Sequence, residues 1–226
     1  MIWRLVATRT GPNGMMHENY RIGRVLSEVS YAVEPRAIVI TMSNQYIICG
    51  ASRSGKSILA RRLQQKFKVS WILGDAIVSS MEDAFPNFGI SHHGDLQDIG
   101  DRFADYIKFL LWHYGYAGCG YVLDTTHLYP RHIIGMREKI GDVPAVFLGY
   151  AQADPAEKLR QIRSFDPNWW WTFELSDTEL KQLVHDQISK SIELKEACGE
   201  LGIPYVDISS HFEESLDRAE SILNTK

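Results

Sequence analysis

Two glycines five positions apart, the second followed directly by a lysine and a serine, form the stretch with the clearest chemistry: Gly50-Ala51-Ser52-Arg53-Ser54-Gly55-Lys56-Ser57. The spacing fits the phosphate-binding pattern G-x-x-x-x-G-K-[ST]. Glycines allow the tight turn that points backbone N–H groups inward onto a polyphosphate. A helix opening at Lys56 adds the positive end of its dipole. Lys56 is then within reach of the β- and γ-phosphates, and the Ser57 hydroxyl is placed to ligate Mg²⁺. Ser52, Arg53 and Ser54 complete the loop; Arg53 either flanks the phosphates or points outward. The bland alternative is a Gly/Ser turn before an ordinary helix, and the flanking elements argue against it. The ligands expected are ATP and Mg²⁺. A guanine nucleotide is disfavoured because no Asn-Lys-x-Asp segment occurs in the chain.

Such a loop needs a strand before it and a helix after it. Residues 46–49 (Tyr-Ile-Ile-Cys) read as a short buried strand, and Leu59, Leu63 and Phe67 recur four apart as on a packed helix. A second strand spans 68–75 and closes on Asp75, and residues 76–94 read as irregular. Asp95 caps a helix with Leu96, Ile99, Phe103, Ile107 and Leu110 at 3–4 spacing. The third strand, 121–124, closes on Asp124, and a short helix follows to about residue 139. The fourth, 145–149, is continuously apolar, as in a parallel sheet buried on both faces. Asp154-Pro155-Ala156-Glu157 starts a helix bearing Lys158, Arg160 and Arg163, broken at Asp166-Pro167 ahead of Trp169-Trp170-Trp171. Ser176-x-x-Glu179 opens a long helix with Leu180, Val184, Ile188 and Ile192 on one face. The fifth strand, 203–207, and a last helix through Phe212, Leu216, Ala219 and Leu223 complete the chain. Five strands alternating with helices imply a doubly wound parallel α/β sheet with its site at the strands' carboxyl ends.

Residues 1–41 stand apart. They show no sustained period and contain the breaker Gly11-Pro12-Asn13-Gly14. The segment is expected to be a poorly ordered or loosely docked extension of a P-loop domain over 42–226. The alternative is an edge hairpin using 37–41, with a weak helix over 23–33.

Composition narrows the class. With 226 residues, 45% hydrophobic and 23% charged, the chain suits one globular domain. A net charge of −4 provides no broad cationic surface for nucleic acid. Cys49, Cys119 and Cys198 lie far apart without metal-like spacing, which suits free thiols in a reducing cytoplasm. No apolar run approaches membrane-spanning length, and Arg4, Arg9 and Pro12 interrupt any leader-like core. A cytoplasmic protein without membrane or nucleic-acid partners, monomeric or homodimeric, is expected.

With these parts placed, residues 45–224 resemble the P-loop small-molecule kinases, the group of nucleoside monophosphate, shikimate, gluconate and 2-phosphoglycerate kinases. The resemblance implies strand order 2-3-1-4-5, ATP on the first loop, an acceptor across the cleft and an arginine-supplying lid, here near 164–176. Gly50, Gly55, Lys56 and Ser57 match the ATP loop, and Leu159-Arg160-Gln161-Ile162-Arg163 looks like the helix that opens the lid. Asp124-Thr125-Thr126-His127-Leu128-Tyr129-Pro130 is similar to the acidic-x-x-His-x-x-Pro segment of 2-phosphoglycerate kinases and departs from the Asp-Gly-Phe-Pro-Arg pattern of adenylate kinases. On this reading Asp124 holds the Mg²⁺ water shell, or else merely caps the next loop. Asp75 holds or deprotonates the acceptor hydroxyl, or is a turn residue. Arg160 and Arg163, three apart, neutralise the transferring phosphoryl, or are solvated surface charges. His127 and Arg131 are acceptor-side candidates, His92-His93 reads as a surface pair, and the tryptophan run is either a closing lid or a clamp between helices. The expected activity is phosphoryl transfer from ATP to a small hydroxylated or phosphorylated metabolite. The alternatives are a nucleoside monophosphate kinase and an ATP-controlled binding module without transfer.

Overall fold

The computed structural model describes residues 6–8, 19–21, 44–165 and 171–225. The chain divides into two units, 1–39 and 40–226. In the first, strands β1 (Val6–Thr8) and β2 (Asn19–Arg21) pair antiparallel, with Val6 opposite Arg21. The glycine-proline breaker lies in the sequence between them. The proposed helix over 23–33 and strand over 37–41 fall outside the described residues.

The second unit is built on five parallel strands: β3 (Gln45–Gly50), β4 (Ser70–Leu73), β5 (Tyr121–Thr125), β6 (Ala145–Gly149) and β7 (Tyr205–Asp207). Their order across the sheet is β4-β5-β3-β6-β7, which in chain order is 2-3-1-4-5. Helices α1 (Lys56–Phe67), α2 (Gly74–Ala84), α3 (Leu96–Tyr116), α4 (Pro130–Ile140), α5 (Pro155–Phe165), α6 (Trp171–Glu174), α7 (Asp177–Leu201) and α8 (Phe212–Leu223) surround it.

Strand alternation sorts the core into two layers. Ile47, Cys49, Leu123 and Phe147 pack with Val78, Phe103, Ile107, Ile133, Met136 and Leu194, so α2, α3, α4 and α7 cover one face. Ile48, Val122, Val146 and Leu148 pack with Leu59, Leu63, Leu216 and Leu223, so α1 and α8 cover the other. Both faces are covered by helices, which is why β5 and β6 are buried at every position. Among the described residues no helix is long and apolar enough to cross a membrane.

Three local expectations need correction. The stretch from 76 is not irregular: α2 begins at Gly74, directly after β4, and runs to Ala84. Its buried side is only Gly74 and Val78, and Leu73, its N-cap, provides no side-chain cap, so the sequence carries few helix signals there. Asp75 therefore sits in a helix's first turn and not at a strand end. The buried side of α7 runs through Leu180, Val184, Ser191, Leu194 and Cys198, while Ile192 is 44% exposed. A strict four-residue spacing drifts around a helix of 3.6 residues per turn, so the inward stripe mixes three-, four- and seven-residue steps. On α3, Leu96, the first residue of the helix, is exposed and Leu111 is buried.

Candidate active site

The loop between β3 and α1 is shaped by two glycines. Gly50 has φ +131°, and a Cβ there would lie 1.9 Å from the Leu148 carbonyl oxygen, so only glycine lets β3 pass this close to β6. Gly55, at φ +83°, is the N-cap of α1 and packs against Phe212. A glycine cap has no side chain to satisfy the first N–H groups of the helix, which leaves them directed at the space above the loop. The Ser54 hydroxyl is fully buried without a hydrogen-bond partner. Arg53 takes a left-handed conformation (φ 61°) inside the loop.

Lys56 is buried, and its Nζ donates to the Ala51 carbonyl at 2.8 Å, folding back over the loop. Burial lowers its pKa, opposed by the charges of Asp124 and Asp75. Ser57 Oγ donates to Asp124 Oδ2 at 2.6 Å. Asp124 lies in register with Ile48 on one side and Leu73 on the other, which fixes its carboxylate beside the helix start. Burial pushes that carboxyl up, while Lys56 and the Ser57 hydrogen bond pull it down; the raised direction prevails.

Asp75 stands in the first turn of α2, two residues beyond the end of β4. A Cβ on Gly74 would meet the Thr125 side chain at 2.5 Å, so this glycine lets α2 start against β5. Asp75 Oδ1 receives Thr126 Oγ1 at 3.4 Å and lies 3.4 Å from His127 Nε2. Desolvation pushes the Asp75 carboxyl up, but the His127 contact and the charge of Lys56 outweigh it and hold it below its ordinary value. The exposed His92 is part of this neighbourhood and not a simple surface pair with His93. Its Nε2 meets Ser79 Oγ at 2.9 Å, and its ring centroid is 5.6 Å from that of His127.

The remaining candidates lie elsewhere. Arg160 pairs with Glu157 on the same helix and is 71% exposed. Arg163 donates to the carbonyls of Thr172, Phe173 and Leu175 and to Asp177, which ties α5 to the α6–α7 connection. Arg53 bonds Thr172 Oγ1. Arg131 is held by Gln97 and Asp101 of α3, and His132 shares Asp101. Trp169 and Trp170 lie outside the described residues, and Trp171 is described only as the start of α6.

No family model and no curated protein matches the sequence. Solved structures match it through their fold. A gluconokinase from Sinorhizobium meliloti 1021 aligns with a TM-score of 0.54 at 18% identity, over 80% of this chain and 92% of that one. A sugar kinase from Janibacter sp. HTCC2649 aligns with a TM-score of 0.54 at 16% identity, over 80% of this chain and 95% of that one. This chain has the P-loop NTPase fold. It is the fold shared by P-loop small-molecule kinases.

Within this P-loop NTPase fold, the donor set fits the expected ligands. The glycine cradle, the uncapped start of α1 and the orphaned Ser54 hydroxyl suit phosphate oxygens. A hydroxyl and a carboxylate in contact, Ser57 and Asp124, offer the oxygen ligands and water-binding surface that Mg²⁺ requires. Among the described residues no cluster of His, Cys, Asp and Glu offers a separate protein-only metal site.

Sequence reasoning missed the residues that fasten the P-loop. Gln187 Oε1 accepts from Ser52 N at 2.7 Å, Tyr150 OH donates to the Ser52 carbonyl at 2.9 Å, and Lys158 Nζ donates to the Arg53 carbonyl at 3.0 Å. Lys190 Nζ donates to the Thr126 carbonyl at 3.0 Å, on the Asp75 side. Burial lowers both Lys158 and Lys190 to about 8. The available signal was polar: Gln187 and Ser191 are four apart on the inward side of α7, where a purely structural helix would carry apolar residues.

Proposed function

We propose that this protein transfers the γ-phosphoryl group of Mg²⁺–ATP to a hydroxyl on a small metabolite. The observation that carries the reading is the meeting of two carboxylates with the phosphate loop at one edge of the sheet. Asp124 is bonded to Ser57 on the donor side, and Asp75 stands one strand over with an exposed carboxylate.

The loop N–H groups and Lys56 would hold the phosphates, and Ser57 and Asp124 would hold the cation. Bound Mg²⁺ supplies charge neutralisation on the phosphate oxygens. Asp75 accepts the proton of the acceptor hydroxyl as that oxygen bonds the γ-phosphorus and the bond to the ADP oxygen breaks. Positioning and electrostatics carry the rate, as in phosphoryl transfer generally. Arg160 and Arg163 serve the lid: Arg163 by organising its connection, Arg160 by exchanging its exposed ion pair with Glu157 for the phosphoryl oxygens. The site operates in a cytoplasmic protein, and residues 1–41 are an extension outside the catalytic domain.

The test is ADP release from Mg²⁺–ATP against a panel of polyols, sugar acids, hydroxy acids and nucleoside monophosphates. Release stimulated by one class, and reduced at least about 10²-fold by Lys56→Ala, is the expected result. Stimulation by nucleoside monophosphates alone would identify a nucleotide kinase. Tight nucleotide binding with no stimulation by any class would leave only a binding module. Full rates in Lys56→Ala would sink the assignment of the loop.

A further inference from the structure

Both protein contacts to the Asp75 carboxylate fall on the same oxygen. Thr126 Oγ1 donates to Oδ1 at 3.4 Å, and His127 Nε2 lies 3.4 Å from Oδ1. Among the described residues no hydrogen bond or ion pair is made to Oδ2. The two side chains also differ in exposure: that of Asp75 is 65% exposed, and that of His127 only 9%. His127 is fixed from behind. Its backbone N–H donates to Thr125 Oγ1 at 3.1 Å, and its ring sits 5.7 Å from the Phe103 ring and 5.6 Å from that of His92. Gly100 of α3 permits this packing, since a Cβ there would lie 2.8 Å from the His127 carbonyl oxygen. The His127 Nε2 atom is buried without a hydrogen bond, and the carboxylate that faces it, Asp75 Oδ1, lies at 3.4 Å. Contacts of this kind shorten when a substrate closes the site.

We infer that His127 is a positioning residue, which with Thr126 holds Asp75 Oδ1 so that Oδ2 is presented to the acceptor hydroxyl. The inference rests on the proposed role of Asp75 as proton acceptor. The physical reason is twofold. A carboxylate in the first turn of α2 has a free side-chain rotation, and a base must stay within about 3 Å of the proton it takes. An N–H donor on one oxygen fixes that rotation, keeps the group ionised, and leaves the other oxygen's lone pairs outward. The charged and titratable groups facing Asp75 are Lys56 from the P-loop helix, His127 beside it, His92 from the segment before α3, Lys190 from α7 and Asp124 from β5. Of these, His127 is the one in direct contact.

The decisive measurement is a carbon-13 NMR titration of the Asp75 carboxyl in the full chain, in wild type, His127→Leu and His127→Gln. Wild-type Asp75 should titrate below the ordinary carboxylate range. His127→Leu should move its midpoint up, and His127→Gln, which retains a side-chain N–H donor, should stay near wild type. In acceptor-dependent ADP release, His127→Leu should lower kcat about 10- to 100-fold with KM for Mg²⁺–ATP unchanged. It should also shift the acid limb of the pH–rate profile upward, because the base must be ionised to act. His127→Gln should restore most of the rate. An unshifted Asp75 midpoint in His127→Leu overturns this inference alone, provided that Asp75→Asn is inactive. An active Asp75→Asn overturns both the base and its positioning.

Discussion

Lys56, Lys158 and Lys190 are three ammonium groups whose hydrogen bonds among the described residues go only to backbone carbonyls: Ala51, Arg53 and Thr126 respectively. A buried ammonium without a carboxylate partner is costly, and that cost is recovered when an anion arrives. Lys158 and Lys190 have folded-state values near 8, below the ordinary lysine value of 10.5. The unfolded chain therefore binds more protons between about pH 8 and 10.5, so stability of the empty protein should rise across that window. Triphosphate affinity should fall over the same window as the two charges are lost. Thermal melts and nucleotide titrations at pH 7, 8.5 and 9.5 would show these opposite trends, and parallel trends would refute the shared origin. On the cation side, Asp124→Asn keeps the side chain's shape but removes its charge. It should raise the Mg²⁺ concentration needed for half-maximal ADP release about 10- to 100-fold, read from a Mg²⁺ titration at fixed ATP.

At the scale of elements, the phosphate loop is a junction and not merely a turn. Its backbone is held by α7 through Gln187, by the end of β6 through Tyr150, and by α5 through Lys158. The junction tolerates no side chain at its first position. Gly50→Ala combines a φ of +131° with a Cβ 1.9 Å from a backbone oxygen, so β3 and β6 must separate. A loss of about 3 kcal/mol or more is expected, read as a lowered denaturation midpoint together with loss of nucleotide binding. The motif was legible because glycine spacing, strand and helix all occur within one short stretch. The loop's three fastenings were not, because they come from residues 98 to 135 positions away in the chain. The α2 helix was equally hidden, since it presents a narrow buried side and has no capping residue.

For the five-stranded unit, the parallel order 2-3-1-4-5 gathers the carboxyl ends of β3, β4 and β5 on one edge, where the candidate site lies. Ligand that binds only the folded state stabilises it by mass action. Mg²⁺–ATP at 100 times its Kd should therefore add about 2.7 kcal/mol of stability. Thermal melts with and without nucleotide would read this as a raised midpoint in wild type and little change in Lys56→Ala.

The sequence by itself determined the phosphate-loop side of the candidate site. The loop from Gly50 to Ser57, the five alternating strands and the carboxylate of Asp124 are written in local spacing, and local spacing is what periodicity and turn chemistry report. On the proposed acceptor side the sequence marks Asp75 and His127 singly, and only tertiary structure decided that they meet. Asp75 and His127 are 52 positions apart, and their meeting depends on β4 pairing beside β5 and on Gly74 allowing α2 to start against Thr125. Lys190 reaches the same edge from a helix that the sequence marks only as amphipathic. Which side chains converge is a property of strand order, and no local pattern encodes it.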